Sequence, residues 1–283
     1  MSEQVRIERG NGVLSITLAR PERRNAITID MYAALGEAIE TAATDESIRV
    51  ISLRGEGQDF AAGNDLGDFL TALPRDTGEI PVWRFLRALA TCETPIVAAV
   101  HGNCVGIGTT MLFHCDLVIA EQGARFSLPF VDLALVPEAA STLLLPHLAG
   151  RRRAARYLLL CEPFGVDEAL AMGIVSHAVS GSELSTALED IVARLLAKPP
   201  AALRETQRLL RAGTSTEILE RMKLESEAFA ERLASAEAKE AFTAFFEKRK
   251  PNFHRWEPRV REPTGNTRTG LPRHLNKLRA RQI

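Results

Sequence analysis

Between residues 48 and 120 the chain alternates β-rich runs, glycine-punctuated loops and amphipathic helical stretches, and this alternation limits the fold more than any other feature. "IRVISLRG" runs into "GEGQDFAAGNDLGDF", and the helical "VWRFLRALATC" follows with Val82, Phe85, Leu86 and Leu89 on one face. Pro95 then breaks the helix and "IVAAV" reads as a buried strand. The loop "HGNCVGIGTT" feeds a further helix, and "DLVIA" returns as a strand. Strand, glycine loop and helix in repeated order predict an α/β architecture with right-handed crossovers.

The flanks fit that frame. "VRIERGNGVLSITL" places alternating apolar positions on both sides of Gly10-Asn11-Gly12, the pattern of two antiparallel strands and a tight turn. "TIDMYAALGEAIETAA" repeats Met31, Leu35, Ala38, Ile39 and Ala42 at helical spacing behind a possible Thr28 cap. After Ala139 the pattern becomes helical, with "IVSHAV" as a late strand. "KPPAAL" at 198–203 marks the expected boundary between a core over 1–197 and a helical region over 198–253.

Residues 254–283 hold eight Arg or Lys against two Glu, whereas the whole chain carries a net charge of −1. A segment so rich in Arg, Pro and Gly buries too little apolar surface to offset its ordering entropy, so a loose tail is expected: a solvated extension, or an arm for a polyanion. Cys92, Cys104, Cys115 and Cys161 have no metal-ligand spacing and read as reduced, packed thiols, so no metal site is expected. The start "MSEQVRIERGNG" has no basic stretch leading into an apolar one, and no apolar run is long enough to span a bilayer. A cytoplasmic location is the expectation.

Each glycine loop joins a strand to a helix start, where backbone N–H groups lack intrahelical acceptors. Neither loop has the G-x-G-x-x-G or G-x-x-x-x-G-K-[ST] spacing of the common nucleotide sites. A tight turn or an anion site both remain open from the glycines alone.

"LARPERRNAIT", "DFAAGNDLGDF", "HGNCVGIGTTM", "CDLVIA", "ARFSLPF" and "AFTAFFEKRKPNF", in this order over roughly residues 5–253, resemble the crotonase, or enoyl-CoA hydratase/isomerase, superfamily. The resemblance implies a crotonase-like spiral of ββα turns, a C-terminal helical region used in trimer contacts, and an acyl-CoA thioester as substrate, with coenzyme A carried on the substrate and no separate cofactor. A homotrimer or hexamer is the expectation, with no membrane partner and with nucleic acid the less favoured one. Two backbone N–H groups, one from each glycine loop, would grip the thioester oxygen; by resemblance these are Ala62 and Ile107, with Gly63, Gly106 and Gly108 allowing close approach. The matching substrate-binding positions are Arg24, Ala26, Ala62, Gly63, Asn64, Asp65, Leu66, Ile107, Gly108 and Phe130. Asp65 also reads as a cap for the helix near Leu66. His101 and His114 read as packed rather than catalytic.

Hydratases of the family use two Glu residues to activate water, and the matching positions here are Thr110 and Phe130. Neither is a carboxylate, and a Phe dries the place where water should sit. The carboxylate reappears as Glu138 in "LVPEAAST". "FSLPF…VPEAAST", with "GNDL" and "VGI", is similar to the peroxisomal-type Δ3,Δ2-enoyl-CoA isomerases, in which one Glu of a P-E motif shuttles the proton. A Glu after Pro is also what a helix start favours on its own. Asp132 is expected to face solvent or cap a turn. The resulting expectation is isomerisation of 3-enoyl-CoA to 2-enoyl-CoA in acyl-CoA metabolism of the fatty-acid type. The alternatives are a hydratase or another enolate-using lyase or hydrolase, and, in a different class, a non-catalytic acyl-CoA or RNA binder.

Overall fold

The first two strands, β1 (Val5–Gly10) and β2 (Val13–Leu18), pair antiparallel around Asn11 and Gly12, both in the left-handed region at φ 51° and 82°. That geometry is what an Asn-Gly turn supplies. A computed structural model of the chain describes residues 3–71 and 80–253. The basic segment 254–283 lies outside the described residues.

Helix α1 (Ile29–Thr44) starts at the expected cap, the Thr28 hydroxyl accepting from the Met31 N–H at 3.2 Å. The chain continues through β3 (Val50–Gly55), the short α2 (Leu66–Thr71), α3 (Pro81–Thr91), β4 (Ile96–Val100), β5 (Asn103–Val105) and α4 (Ile107–Thr110). Next come β6 (Leu117–Glu121), β7 (Arg125–Ser127), α5 (Ser141–Ala149), α6 (Arg151–Leu159), β8 (Phe164–Gly165), α7 (Val166–Ala171) and β9 (His177–Val179). Four helices complete the described chain: α8 (Leu184–Leu196), α9 (Pro200–Arg211), α10 (Ser215–Leu233) and α11 (Ala236–Phe246).

Six strands form one sheet in the order β1-β2-β3-β4-β6-β9, parallel after the first pair. Both of its faces are covered, which is why "IVAAV" is apolar throughout. Ile51, Leu53, Ile96, Ala98 and Val118 pack with Met31 and Leu35 of α1 and with Phe85 and Leu89 of α3. Val50, Val97, Ala99 and Ile119 point the other way, onto Leu188 and Ile191 of α8. A second, three-stranded sheet, β5-β7-β8, pairs β5 parallel and β8 antiparallel to β7.

The crossing from β4 to β5 runs through Gly102, at φ 55°, where a Cβ would stand 2.0 Å from the Gln58 carbonyl oxygen. Only glycine fits there. The expected loop "HGNCVGIGTT" therefore contains a strand, and β7 and β8 were likewise not expected. Strands of two or three residues are too short to show a period in sequence.

The result is the spiral α/β core with a C-terminal helical region that the resemblance implied, and Met1–Pro251 form one compact unit. α10 packs on α3 and α5, and α11 packs on the turn Val131–Leu133. Among the described residues no helix is long and apolar enough to cross a membrane.

Candidate active site

The two glycine loops press together because small residues meet at the contact, Gly108 against Ala61 and Gly63 against the Val105 carbonyl. A Cβ on Gly108 would lie 2.9 Å from the Ala61 Cβ and 3.0 Å from the Ala61 carbonyl oxygen. Ala61 is stitched to the second loop, donating to the Asn103 carbonyl at 3.1 Å and accepting from the Val105 N–H at 2.9 Å. On its other side the first loop is tied to the N-terminal segment: Ile27 donates to the Gly63 carbonyl at 2.8 Å, and Asp65 donates to the Ile27 carbonyl at 2.9 Å.

This bonding corrects one expected donor. The Ala62 N–H donates to the Arg24 carbonyl at 2.9 Å and is therefore not free to receive a substrate oxygen. The N–H groups of Gly63 and Asn64 have no protein acceptor among the described residues. Because the Gly63 carbonyl and the Asp65 N–H both face Ile27, the Asn64 N–H turns away from that contact. Ile107 is the first residue of α4, and its N–H likewise lacks a protein acceptor among the described residues. Gly106 before it, at φ 54°, donates to the Ser127 carbonyl and accepts from Thr109 and Thr110, all at 2.9 Å.

A cavity of about 360 Å³ opens between the loops. Ala26, Ala62, Gly63, Asn64, Asp65, Leu66, Ile107 and Phe130 line it, as expected, and so does Arg23. Arg24 and Gly108 do not. The Arg24 side chain is 70% exposed and lies 3.6 Å from Asp59, so what this residue gives the site is its carbonyl. Gly108 contributes close packing against Ala61. Phe229, Phe242, Phe245 and Phe246 of α10 and α11 close the far wall. Asp65 is held by Arg20 at 2.7 Å and accepts from the Asp68 N–H at 3.1 Å, the capping role expected of it.

Glu138 is buried and its carboxyl accepts from the Thr110 hydroxyl at 3.3 Å, one helical turn beyond Ile107. Glu138 and Thr110 are buried and are not among the residues that line the open cavity. Burial pushes the Glu138 carboxyl up to about 8, the charge of Glu225 adds to this, and the Thr110 hydrogen bond opposes it. Tyr32 also feels the Glu138 charge, and its hydroxyl donates to the Asn64 side chain at 2.5 Å. Asp132, six residues earlier, is exposed.

The segment after Glu138 is unusual. Ala139 and Ala140 both adopt left-handed backbone, at φ 59° and 55°, before α5 begins at Ser141. His114 is buried, and burial holds it down to about 4, so its imidazole is neutral and Nε2 donates to the Ala139 carbonyl at 2.9 Å. Ser141 donates to the Glu138 carbonyl through both its N–H and its hydroxyl. The free N–H groups at the start of α5 go to a different carboxylate. Glu225 accepts from the Ala140 N–H at 2.6 Å, from the Thr142 N–H at 2.9 Å and from the Thr142 hydroxyl at 2.6 Å. Glu138 is thus not the cap of this helix; Glu225 is, and the Glu138 side chain is turned to Thr110 instead.

No motif in the sequence singles out Glu225. It lies in "EILERMKLESEAFAERL", which reads as an amphipathic helical stretch. The one available signal is its phase: Ile218, Met222, Glu225 and Phe229 fall at spacings of four, three and four, an apolar stripe in which one member is a carboxylate.

Among the described residues no cluster of three or more His, Cys, Asp or Glu could hold a metal ion. A family model described as enoyl-CoA hydratase/isomerase matches residues 8–256. The crystal structure of an enoyl-CoA hydratase/isomerase from Pseudoalteromonas atlantica superposes with a TM-score of 0.84 at 42% identity, over 89% of this chain and 100% of that one. The 1,2-epoxyphenylacetyl-CoA isomerase of Escherichia coli is 33% identical over 251 residues, 86% of this chain and 95% of its own. A probable enoyl-CoA hydratase of Rhodobacter capsulatus is 34% identical over 255 residues, 88% of this chain and 97% of its own. With the two apposed glycine loops and the spiral core already in place, these matches show that the chain belongs to the enoyl-CoA hydratase/isomerase family and is an enzyme of acyl-CoA metabolism.

Proposed function

We propose that the enzyme isomerises 3-enoyl-CoA to 2-enoyl-CoA, with Glu138 as the single proton carrier and the Asn64 and Ile107 N–H groups as the oxyanion donors. The reaction needs no co-reactant. A proton leaves C2 of the thioester to the Glu138 carboxylate, the dienolate oxygen rests on the two backbone donors, and the same proton returns at C4. Donors fixed by the surrounding bridges stabilise the developing charge without reorganising.

The observation that carries this reading is the environment of Glu138. A buried carboxyl at about 8 sits near working pH, where a group that must both take and return one proton performs best. Its polar neighbour, Thr110, occupies one of the two positions where a water-activating Glu is expected, and Phe130 occupies the other and lines the cavity. Water has little to hold it there and would compete for the proton. Hydration is the second reading, favoured by the hydratase names among the relatives. It requires a second carboxylate on the water, and both oxygens of Glu225 are already engaged by three donors.

Glu138→Gln tests the assignment. Turnover of 3-enoyl-CoA should fall by roughly 10²–10⁴-fold, the range general-base catalysis supplies, while Asp132→Asn stays within a few-fold of wild type. Near-normal turnover of Glu138→Gln would place the base elsewhere.

A further inference from the structure

We propose that Glu225, on the C-terminal helix α10, is a positioning residue for Glu138: it clamps the left-handed Ala139–Ala140 elbow that aims the Glu138 carboxyl at Thr110. The proposal rests on the reading of Glu138 as the base.

Two consecutive alanines in left-handed backbone are disfavoured and persist only where the surroundings hold them. The fixing points can be followed group by group. His114 holds the Ala139 carbonyl, Ser141 holds the Glu138 carbonyl, and Glu225 holds the Ala140 N–H together with both donors of Thr142. Glu225 spans 85 residues of sequence to reach Ala140 and is 5% exposed. Arg221, one turn earlier on α10, donates to the Thr142 hydroxyl at 3.2 Å, so the helix grips this segment at two levels. One turn later the same helix presents Phe229 to the acyl cavity. A neutral amide cannot reproduce this clamp. Gln offers one acceptor oxygen, so either the Ala140 N–H or the Thr142 N–H would face an NH₂ donor and lose its partner.

Glu225→Gln should lower kcat for 3-enoyl-CoA by about 10–100-fold, since a displacement near 1 Å of a catalytic group has costs of that order. KM should stay within about threefold, because the Asn64 and Ile107 donors do not depend on α10. In a Glu138→Gln background the same change should cost nothing further, as expected for a residue that acts only through Glu138. Each variant is assayed as the full chain after its folded state has been checked by thermal unfolding. If Glu225→Gln does not fold, Glu225→Asp, which keeps the charge on a shorter arm, is read in both backgrounds by the same criteria. A kcat within threefold of wild type, an equal loss in both backgrounds, or a loss confined to KM would overturn the proposal. Full activity of Glu138→Gln would overturn it by a separate route, by removing the base it serves. An inactive Glu138→Gln beside an unaffected Glu225→Gln would sink the clamp and leave the base intact.

Discussion

Replacing Glu138 by Gln should stabilise the protein increasingly as pH rises. In the fold the carboxyl keeps its proton up to about 8, whereas its ordinary value is 4.5. Between these two values the unfolded chain has released a proton that the native state retains, so stability falls as pH increases. The contribution is fully present below the ordinary value and is lost as pH climbs through about 8. Each pH unit in that window is worth about 1.4 kcal/mol. Between about pH 5.5 and about pH 8.5 the wild type should therefore lose on the order of 3 kcal/mol that the Gln variant, which mimics the protonated form, does not lose. Groups that do not feel the Glu138 charge are common to both proteins and cancel in the difference. Urea unfolding of the pair at each pH, at one protein concentration so that association does not shift the midpoints, reads the effect directly. A stability difference that stays flat across this range would refute the buried, proton-retaining state of Glu138.

Further outcomes follow from the same geometry. kcat/KM for 3-enoyl-CoA should rise with pH and level off above about 8, because only the ionised Glu138 can accept the C2 proton; a profile already flat from about pH 6 would contradict this. Thr110→Val removes the hydrogen bond that favours the carboxylate, so the rising limb should move to higher pH, and an unmoved or lowered limb would deny that bond its role. Gly108→Ala drives a methyl group against Ala61, so displacement of the Ile107 donor should cost turnover by about 10²-fold, the scale seen for losing one oxyanion donor; unchanged kcat would detach Ile107 from the chemistry. Leu159 at the end of α6, Leu160 just beyond it, and Leu209 and Leu210 of α9 are exposed, and a trimer or hexamer by light scattering is expected, against which a monomeric mass at micromolar concentration would count.

Much of the fold was legible because its signals are periodic or local. The Asn11–Gly12 hairpin, the Thr28 cap and the two-sided strands each follow from a pattern of a few residues. The short strands β5, β7 and β8 carry no such pattern, and their pairing is fixed by tertiary contacts. At the site, Ile107 was named by the resemblance, and its N–H is unpaired among the described residues because the residue stands at a helix start. Ala62 and Asn64 could not be told apart in the same way. Which of them is free depends on the contacts of the loop with Arg24 and Ile27, residues far away in sequence. Phe229, Phe242, Phe245 and Phe246 of α10 and α11 face this chain's own cavity, a placement that depends on how the two helices dock and that no local pattern shows. Glu225 escaped notice for the complementary reason: a carboxylate on an amphipathic helix looks solvated until its three donors are in place.

The most direct test of the central claim is a side-by-side assay of one enzyme preparation on 3-hexenoyl-CoA and 2-hexenoyl-CoA. A site with Glu138 as its proton carrier and with Thr110 and Phe130 at the water-activating positions predicts that conversion of 3-hexenoyl-CoA to 2-hexenoyl-CoA outruns hydration of 2-hexenoyl-CoA, and that Glu138→Gln removes it. Hydration faster than isomerisation under the same conditions would contradict the account.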